Sequence, residues 1–274
     1  MPAPITFLLV EGPHDAEFMA RLLKGRGFEQ RKSVSAIPEL YRKLIPKDYP
    51  AKNENGKEVP LTDPHPVPRF YQNAGSWVFI LIGGGSKSAH TLAKALRTSR
   101  LAGFDVDSIG VILDQDLEAR PEEARDTFIA EFAKEQDLPF PVDFNIKPGT
   151  LIQGPPRLGL FVLPDNSQPG ALEDLLLECG EVQYKALKDK ALSFRDDALE
   201  NAGLTADDLA LYGKPGGLKE ISKQKKAWVG AMGAVLMPSM AIQNSIRDNR
   251  WLAGEALALP RIQNVGRFIE DLLA

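Results

Sequence analysis

Two short apolar runs in this chain stop abruptly at carboxylates. Residues 5–10 lead directly into Glu11, and residues 109–113 lead into Asp114 and Asp116. If the two runs are neighbouring parallel strands, the three carboxylates converge on one crevice, since ligands bind beyond the carboxyl ends of such strands. Clustered carboxylates repel one another, and a divalent cation relieves that repulsion. The pattern therefore predicts a metal site that supports phosphate chemistry.

The donor atoms of this predicted site are all oxygens. Asp114 and Asp116 are two residues apart, so on an extended strand end their side chains point the same way. Oxygen ligands select hard cations such as Mg²⁺ or Mn²⁺ over zinc, and the sequence has no cluster of His and Cys that indicates otherwise. The structural alternative is that acids at strand ends only cap the following helix, and Asp15 in particular fits an N-cap as well as a ligand.

A glycine-rich turn at residues 83–87 follows another apolar run. A Walker A loop requires glycine immediately before its Lys-Ser/Thr pair, and Ser86 occupies that place, so the pattern fails. The segment Gly84, Gly85, Ser86 and Lys87 can still offer backbone amides and one ammonium group to a phosphate at a helix N-terminus. The alternative is a tight turn whose glycines need positive φ, and the sequence leaves the two open.

Further acids and lysines could complete the site. Glu173 could supply a second metal position, with Asp165 and Asp174 as supporting acids. Acids in the first turn of a helix serve the helix dipole equally well. Lys223, Lys225 and Lys226 could bring positive charge to a phosphate, whereas most lysine runs are solvated helix faces.

Alternating strand and helix patterns predict the elements that position these residues. Continuous apolar runs predict strands buried on both faces, and apolar residues at helical spacing predict helices between them. This alternation through residues 5–180 is typical of an α/β domain with a mainly parallel sheet flanked by helices. The predicted strands cover residues 5–10, 77–82, 109–113 and 158–163, and the predicted helices cover residues 15–24, 88–98, 121–135 and 171–179.

Two stretches interrupt the alternation. Residues 29–76 are polar, rich in proline and too long for a plain connection, so they predict an inserted lobe or a flexible flap. Residues 139–157 predict a β-loop excursion. Residues 181–274 read as mostly helical, and the last ten, residues 265–274, predict a docking helix. We therefore expect an α/β domain over residues 1–180 and a helical extension over residues 181–274 packed on it.

Composition places the chain among ordinary globular proteins. Of 274 residues, 43% are hydrophobic and 26% are charged, which suits a sizeable core. The net charge of −4 gives no overall basic footprint, so nucleic-acid binding would depend on a local basic groove.

The single cysteine, Cys179, excludes an intrachain disulfide and fits a reducing compartment. No apolar run approaches the roughly 18 residues of a membrane span, and no signal peptide is recognisable, so we expect a cytoplasmic protein without membrane contact.

The order of these motifs resembles the Toprim family. Residues 10–15 (VEGPHD) and 113–116 (LDQD) are similar to its glutamate-glycine and D-x-D motifs. The glycine turn at 83–85 lies between them, as in members related to the overcoming-lysogenization-defect (OLD) nucleases. Residues 161–175 look like a small stand-alone, OLD-like bacterial branch. The resemblance covers roughly residues 5–180.

The resemblance implies roles for matched positions. Glu11 would be a metal ligand and a general acid or base, and Asp114 and Asp116 would hold Mg²⁺. Glu173 would complete a second metal site, and one of the first two tail lysines named above would assist cleavage. The long insertion departs from the family pattern, and any ATPase motor would have to be a separate chain.

The leading hypothesis is a metal-dependent nuclease that acts on DNA or RNA in phage defence or nucleic-acid processing, with a separate ATPase or another defence protein as a partner. The alternative is a non-catalytic module that binds Mg²⁺-nucleotide or a partner protein, which the acidic pI near 5.6 favours. Nucleotidyl transfer is a third hypothesis. A positive rim around the crevice would favour the nuclease, and the candidates for that rim are Arg69, Lys87, Lys147, Arg157 and Lys225.

Overall fold

One sheet forms the centre of the molecule. The computed structural model of the chain describes residues 3–53, 55–61, 67–115, 120–201, 203 and 221–274, apart from the side chains of residues 195, 196, 198–201 and 221–223. The described residues form a seven-stranded sheet. Its strands are β1 (Ile5–Val10), β2 (Glu29–Arg31), β3 (Arg69–Gln72), β4 (Trp77–Ile82), β5 (Ser108–Asp114), β6 (Thr150–Ile152) and β7 (Arg157–Leu163).

The sheet is parallel at its centre and antiparallel at its edges. The strand order is β2-β3-β4-β1-β5-β7-β6. Strands β4, β1, β5 and β7 run parallel, while β2, β3 and β6 add antiparallel strands at the two sides. The carboxyl ends of β4, β1 and β5 therefore lie side by side. The predicted α/β class with a mainly parallel sheet is confirmed.

Strand β1 is buried on both faces of the sheet. Phe7 and Leu9 pack in one core and Leu8 and Val10 pack in the other, because successive side chains of a strand point to opposite faces. All four side chains are 1% exposed or less. Burying a side chain of this size stabilises the fold by roughly 1.5–3 kcal/mol, so the strand that leads into Glu11 is firmly held.

Helices cover both faces of the sheet. They are α1 (Pro13–Lys24), α2 (Glu39–Arg42), α3 (Ser88–Ala102), α4 (Pro121–Phe132), α5 (Leu172–Gln183), α6 (Lys185–Asn201), α7 (Ile221–Leu236), α8 (Ile242–Asp248) and α9 (Pro260–Leu273), with short 3₁₀ turns at Val34–Ala36, Gly85–Lys87 and Gly254–Ala258. Helix α1 and helices α5 to α9 contribute to one core, and α3 and α4 contribute to the other. The helical C-terminal region predicted from the sequence is confirmed. Within the described residues, no helix is both long and apolar enough to cross a bilayer.

The segment 29–76 adds two strands to the sheet. Strand β2 pairs with β3, and β3 pairs with β4. Ile37, Tyr41 and Leu61 are buried in the core on the α3 side. These contacts argue against a loosely attached flap for the described part of the segment. The predicted β-loop excursion before β7 is confirmed, since β6 pairs with that strand.

Helix α9 docks across β5 and β7. Two glycines in these strands make room for it. A Cβ atom at Gly110 would collide with Leu272, and a Cβ atom at Gly159 would lie 2.9 Å from the ring of Phe268. The docking helix predicted for the C-terminus is confirmed and begins at Pro260.

Candidate functional site

Glu11 and Asp114 are direct neighbours at the carboxyl ends of β1 and β5. The two strands pair in parallel, so the residue that follows Val10 lies beside the last residue of β5. The backbone N–H of Asp114 donates to Glu11 Oε1 at 3.0 Å. The structure thus brings these two sequence-predicted carboxylates together.

The N-terminus of α5 points at the same place. The backbone N–H of Leu172, the first residue of α5, donates to Asp114 Oδ1 at 3.1 Å. The first amides of a helix lack partners within the helix and carry partial positive charge. This contact fixes the orientation of the Asp114 carboxylate beside Glu11.

An acidic cavity of about 330 Å³ opens at this point. Its lining includes four acids, Glu11, Asp15, Asp114 and Glu173, and one cationic residue, Lys226. Asp15 and Glu173 are only 7% and 6% exposed, so water screens their charges poorly. A cation is the natural complement of such a cavity.

Asp15 shows how this crowding acts on a carboxyl group. Burial raises the pKa of Asp15 from 3.8 to about 7; the hydrogen bond from Gly12 opposes this rise, and the negative charges of Glu11 and Glu173 add to it. The backbone N–H of Gly12 donates to Asp15 Oδ2 at 2.7 Å. Asp15 is therefore the third residue of α1 rather than its N-cap, and it both closes the first turn of α1 and belongs to the acid cluster.

The glycine turn borders the same cavity. Gly84 and Gly85 have φ values of 76° and 63°, as a tight turn requires. The Gly84 N–H donates to the carbonyl oxygen of Glu11 at 2.8 Å, so a phosphate at this turn would have to be held by other amides. Gly85 lines the acidic cavity and, with Ser86, a second cavity of about 330 Å³. Lys87 is exposed and is not among the residues that line either cavity.

The tail lysines separate into two roles. Lys225 Nζ lies 2.5 Å from Asp174 Oδ1 and ties α7 to the first turn of α5. Lys226 lines the acidic cavity, together with Val229 and Gly230. The sequence indicated the lysine run 223–226 as a source of positive charge and left Lys223 and Lys225 open as the residue that assists cleavage. The three lining residues have i, i+3, i+4 spacing, so they lie on one face of α7, and the rotation of the helix decides that this face meets the cavity.

Asp165 follows β7 but is not among the residues that line the acidic cavity. The hydroxyl and backbone N–H of Ser167 donate to Asp165 Oδ1, and Arg261 Nε donates to Oδ2 at 2.7 Å. Burial alone would raise the pKa of Asp165, but the hydrogen bonds from Ser167 and Gln168 and the charge of Arg261 lower it. Asp165 therefore stabilises a turn and links it to α9.

Two sequence-predicted residues cannot be placed in the site. Asp116 lies outside the described residues, and Lys223 belongs to α7 with a side chain that is not described. Over the described ranges, no group of three or more His, Cys, Asp or Glu residues is arranged to hold a metal ion. The donor chemistry of Glu11 and Asp114 nevertheless fits a hard divalent cation, since carboxylate oxygens are its preferred ligands. The raised pKa of Asp15 supports this fit, because burial and neighbouring negative charge are what a cation would offset.

Comparisons with known proteins identify a family and a fold. A protein-family model described as "Protein of unknown function (DUF3226)" matches residues 5–252. The crystal structure of the hypothetical protein PH0156 from Pyrococcus horikoshii OT3 is similar, with a TM-score of 0.52 and 16% sequence identity over 98% of this chain and 95% of that chain. At this identity the likeness concerns the fold alone. No curated protein matches the chain.

Proposed function

The chain belongs to the DUF3226 family of proteins of unknown function, and we propose from its site that it is a divalent-metal-dependent nuclease. The reaction is hydrolysis of a phosphodiester bond in DNA or RNA. The observation that supports it is the 3.0 Å contact between the Asp114 N–H and Glu11 Oε1, which joins acidic residues from two neighbouring strands at the rim of an acidic cavity.

The carboxylates of Glu11 and Asp114 would hold the cation, with Glu173 on the same cavity wall and Asp116 as a further ligand by resemblance to Toprim nucleases. A bound Mg²⁺ or Mn²⁺ supplies positive charge to the scissile phosphate and lowers the pKa of a water. Asp15 lies beside these acids in the cavity, and a bound cation would lower its raised pKa, so its carboxylate would add negative charge next to the metal.

Lys226 and the start of α5 would position the substrate. Lys226 is the cationic residue among those that line the cavity, and an ammonium group binds a phosphate oxygen as a point charge. The first amides of α5 already face Asp114. Lys225 would act indirectly, through the ion pair with Asp174 that holds α7 against α5.

The test is a cleavage assay with Asp114→Asn. This substitution removes one negative charge and keeps the size of the side chain. We expect cleavage of single- and double-stranded DNA and RNA oligonucleotides in Mg²⁺ or Mn²⁺ to fall by at least about 100-fold. Asp105→Asn, at an exposed acid before β5, is the matched control and should cleave like wild type. Undiminished cleavage by Asp114→Asn would refute the proposal.

One observation favours the second candidate, a non-catalytic module that binds Mg²⁺-nucleotide. Arg69 and Arg157, which were expected in a basic rim around the crevice, make their contacts in other parts of the protein. Arg69 is 3% exposed and pairs with Glu17 at 2.8 Å, and Arg157 donates to carbonyl oxygens of the last turn of α9. Mg²⁺-ATP binding that Asp114→Asn abolishes, without cleavage of any nucleic acid by wild type, would identify this module.

A further inference from the structure

A third and larger cavity lies at the other end of α1 from Glu11. Its volume is about 710 Å³, and it is formed by the C-terminal end of α1, the turn at Gly254–Ala258 and α9. Helix α1 has 12 residues and is therefore about 18 Å long. That length separates this cavity from the acidic cavity.

The charges that line this cavity are mainly positive. Four cationic residues, Arg21, Lys24, Arg26 and Arg267, face one acid, Glu270. The chain as a whole carries a net charge of −4, so this concentration of positive charge runs against the overall composition. We refer to the cavity as the basic groove.

Two of the arginines are fixed in place by hydrogen bonds. Arg21 donates to two backbone carbonyl oxygens in residues 247–252, at 3.1 and 3.2 Å, which orient its guanidinium, and the nearby charge of Asp248 offsets part of its own. Arg26 donates to the carbonyl of Gly266 at 2.8 Å and pairs with Glu270 at 2.7 Å. A Cβ atom at Gly266 would lie 2.8 Å from Arg26 Nη2, so the glycine permits this close approach. Glu270 is thus offset by Arg26, and positive charge remains in the groove.

Lys24 and Arg267 supply the exposed positive charge. Within the described residues, the Lys24 ammonium group has no hydrogen-bond or ion-pair partner. Arg267 donates to Asn264 Oδ1 at 2.6 Å, a neutral acceptor. Cations in the last turn of a helix often serve only the helix dipole, which accounts for Arg21 and Lys24. The dipole does not account for Arg267, which comes from a different helix and faces the same cavity.

The floor of the basic groove is apolar. Leu22, Leu252 and Ile262 are 4% exposed or less, while Leu257 is 44% exposed at the groove. Gln263 adds a side-chain amide, which can both donate and accept hydrogen bonds. Small-molecule sites have volumes of roughly 300–1,000 Å³ and combine an apolar lining with a few polar groups. The groove therefore suits a ligand that combines an anionic group with a part able to pack against apolar side chains.

We propose that the basic groove is a binding site for a nucleoside phosphate. Its phosphate contacts Lys24, Arg267 and Arg21, since guanidinium and ammonium groups form strong, charge-assisted hydrogen bonds with phosphate oxygens. Its base lies against the leucines, with the amide of Gln263 at the polar edge of the ring. This site is independent of the acid pair and uses no divalent cation.

The experiment is isothermal titration calorimetry of the full chain with AMP and ATP in buffer containing EDTA. EDTA removes divalent cations, so metal-dependent binding at the acidic cavity does not contribute. We expect wild type to bind AMP with a dissociation constant below about 1 mM. The double variant Lys24→Gln/Arg267→Gln should weaken binding by about tenfold or more. Both side chains are exposed, so the variant should keep the wild-type melting temperature.

Two controls separate the groove from other sites. Arg100→Gln, at an exposed cation on α3, should leave AMP binding unchanged. Asp114→Asn should also bind AMP like wild type, whatever the outcome of the cleavage assay. Loss of AMP binding in Asp114→Asn would place the ligand in the acidic cavity and overturn the proposal.

The remaining probes test each part of the ligand. Adenosine and ribose 5-phosphate should each bind at least about tenfold more weakly than AMP. If adenosine binds as tightly as AMP, the phosphate is not recognised. If ribose 5-phosphate binds as tightly as AMP, the base is not recognised. Either result overturns the proposal, as does binding of an oligonucleotide without binding of AMP.

Discussion

Asp15→Asn measures how strongly burial and the neighbouring acids of the cavity raise the pKa of Asp15. Burial, with the charges of Glu11 and Glu173, raises the pKa of Asp15 from 3.8 to about 7 in the folded protein. Because the folded pKa is the higher one, the native state binds more protons than the unfolded chain between about pH 4 and pH 7. The stability contributed by this group is fully present below about pH 4 and is lost as the pH rises through about 7.

The size of the effect follows from the two pKa values. One pH unit corresponds to about 1.4 kcal/mol, so between about pH 4.5 and pH 8 the wild-type protein loses about 3 kcal/mol of unfolding free energy through Asp15. Asn does not titrate and keeps an oxygen that can accept the Gly12 hydrogen bond. The stability of the variant relative to wild type should therefore rise by about 3 kcal/mol across this range.

Urea denaturation at a series of pH values between 4.5 and 8, with EDTA present, measures this difference. Asp105→Asn, at an exposed acid, is the matched control and should give a curve parallel to that of wild type. Parallel curves for Asp15→Asn and wild type would show that the carboxyl group is not crowded, and the electrostatic reasoning behind the metal site would fail.

Three further predictions concern packing and reactivity. Glu17→Gln should lower the unfolding free energy by about 3–5 kcal/mol, because it leaves Arg69 buried without its charged partner. Urea denaturation measures this loss, and a loss below about 1 kcal/mol would contradict the prediction. Gly159→Ala should cost about 1–3 kcal/mol, since the added methyl group meets Phe268, and an unchanged melting temperature would show that α9 does not pack this closely. Burial raises the pKa of the Cys179 thiol to about 12. A thiol reagent at pH 8 should therefore label the unfolded chain and leave the native protein unlabelled. Rapid labelling of the native protein would be inconsistent with a buried thiol.

The sequence predicts the centre of the sheet better than its edges, for a physical reason. Strands β1, β4, β5 and β7 are buried on both faces, so they appear as continuous apolar runs. Strand β2 has only three residues, all polar or charged. Its conformation comes from pairing with β3, and such tertiary pairing leaves no periodic signal. The same reason applies to the three-residue strand β6, which only a proline- and glycine-rich stretch indicated.

The site shows the same division between local and tertiary information. Glu11 and Asp114 could be predicted because both follow strands whose parallel pairing fixes their neighbours. The choice between Lys225 and Lys226 could not be predicted, since it depends on the rotation of α7, which packing against other helices determines. Asp165 satisfies the same strand-end rule and still does not reach the cavity, because Arg261, which is remote in sequence, pairs with it.

The two proposed sites depend on different levels of the structure. The acidic cavity follows from strand order: the chain places β4 on one side of β1 and β5 on the other, and such a reversal leaves a crevice at the carboxyl ends of the strands. The basic groove has no such rule behind it, because its arginines meet only when α9 docks beside α1. A strand-end pattern can therefore reveal the acidic cavity from sequence, but no such pattern reveals the basic groove. A substitution that shifts α9 should weaken AMP binding and leave the contact between Glu11 and Asp114 intact.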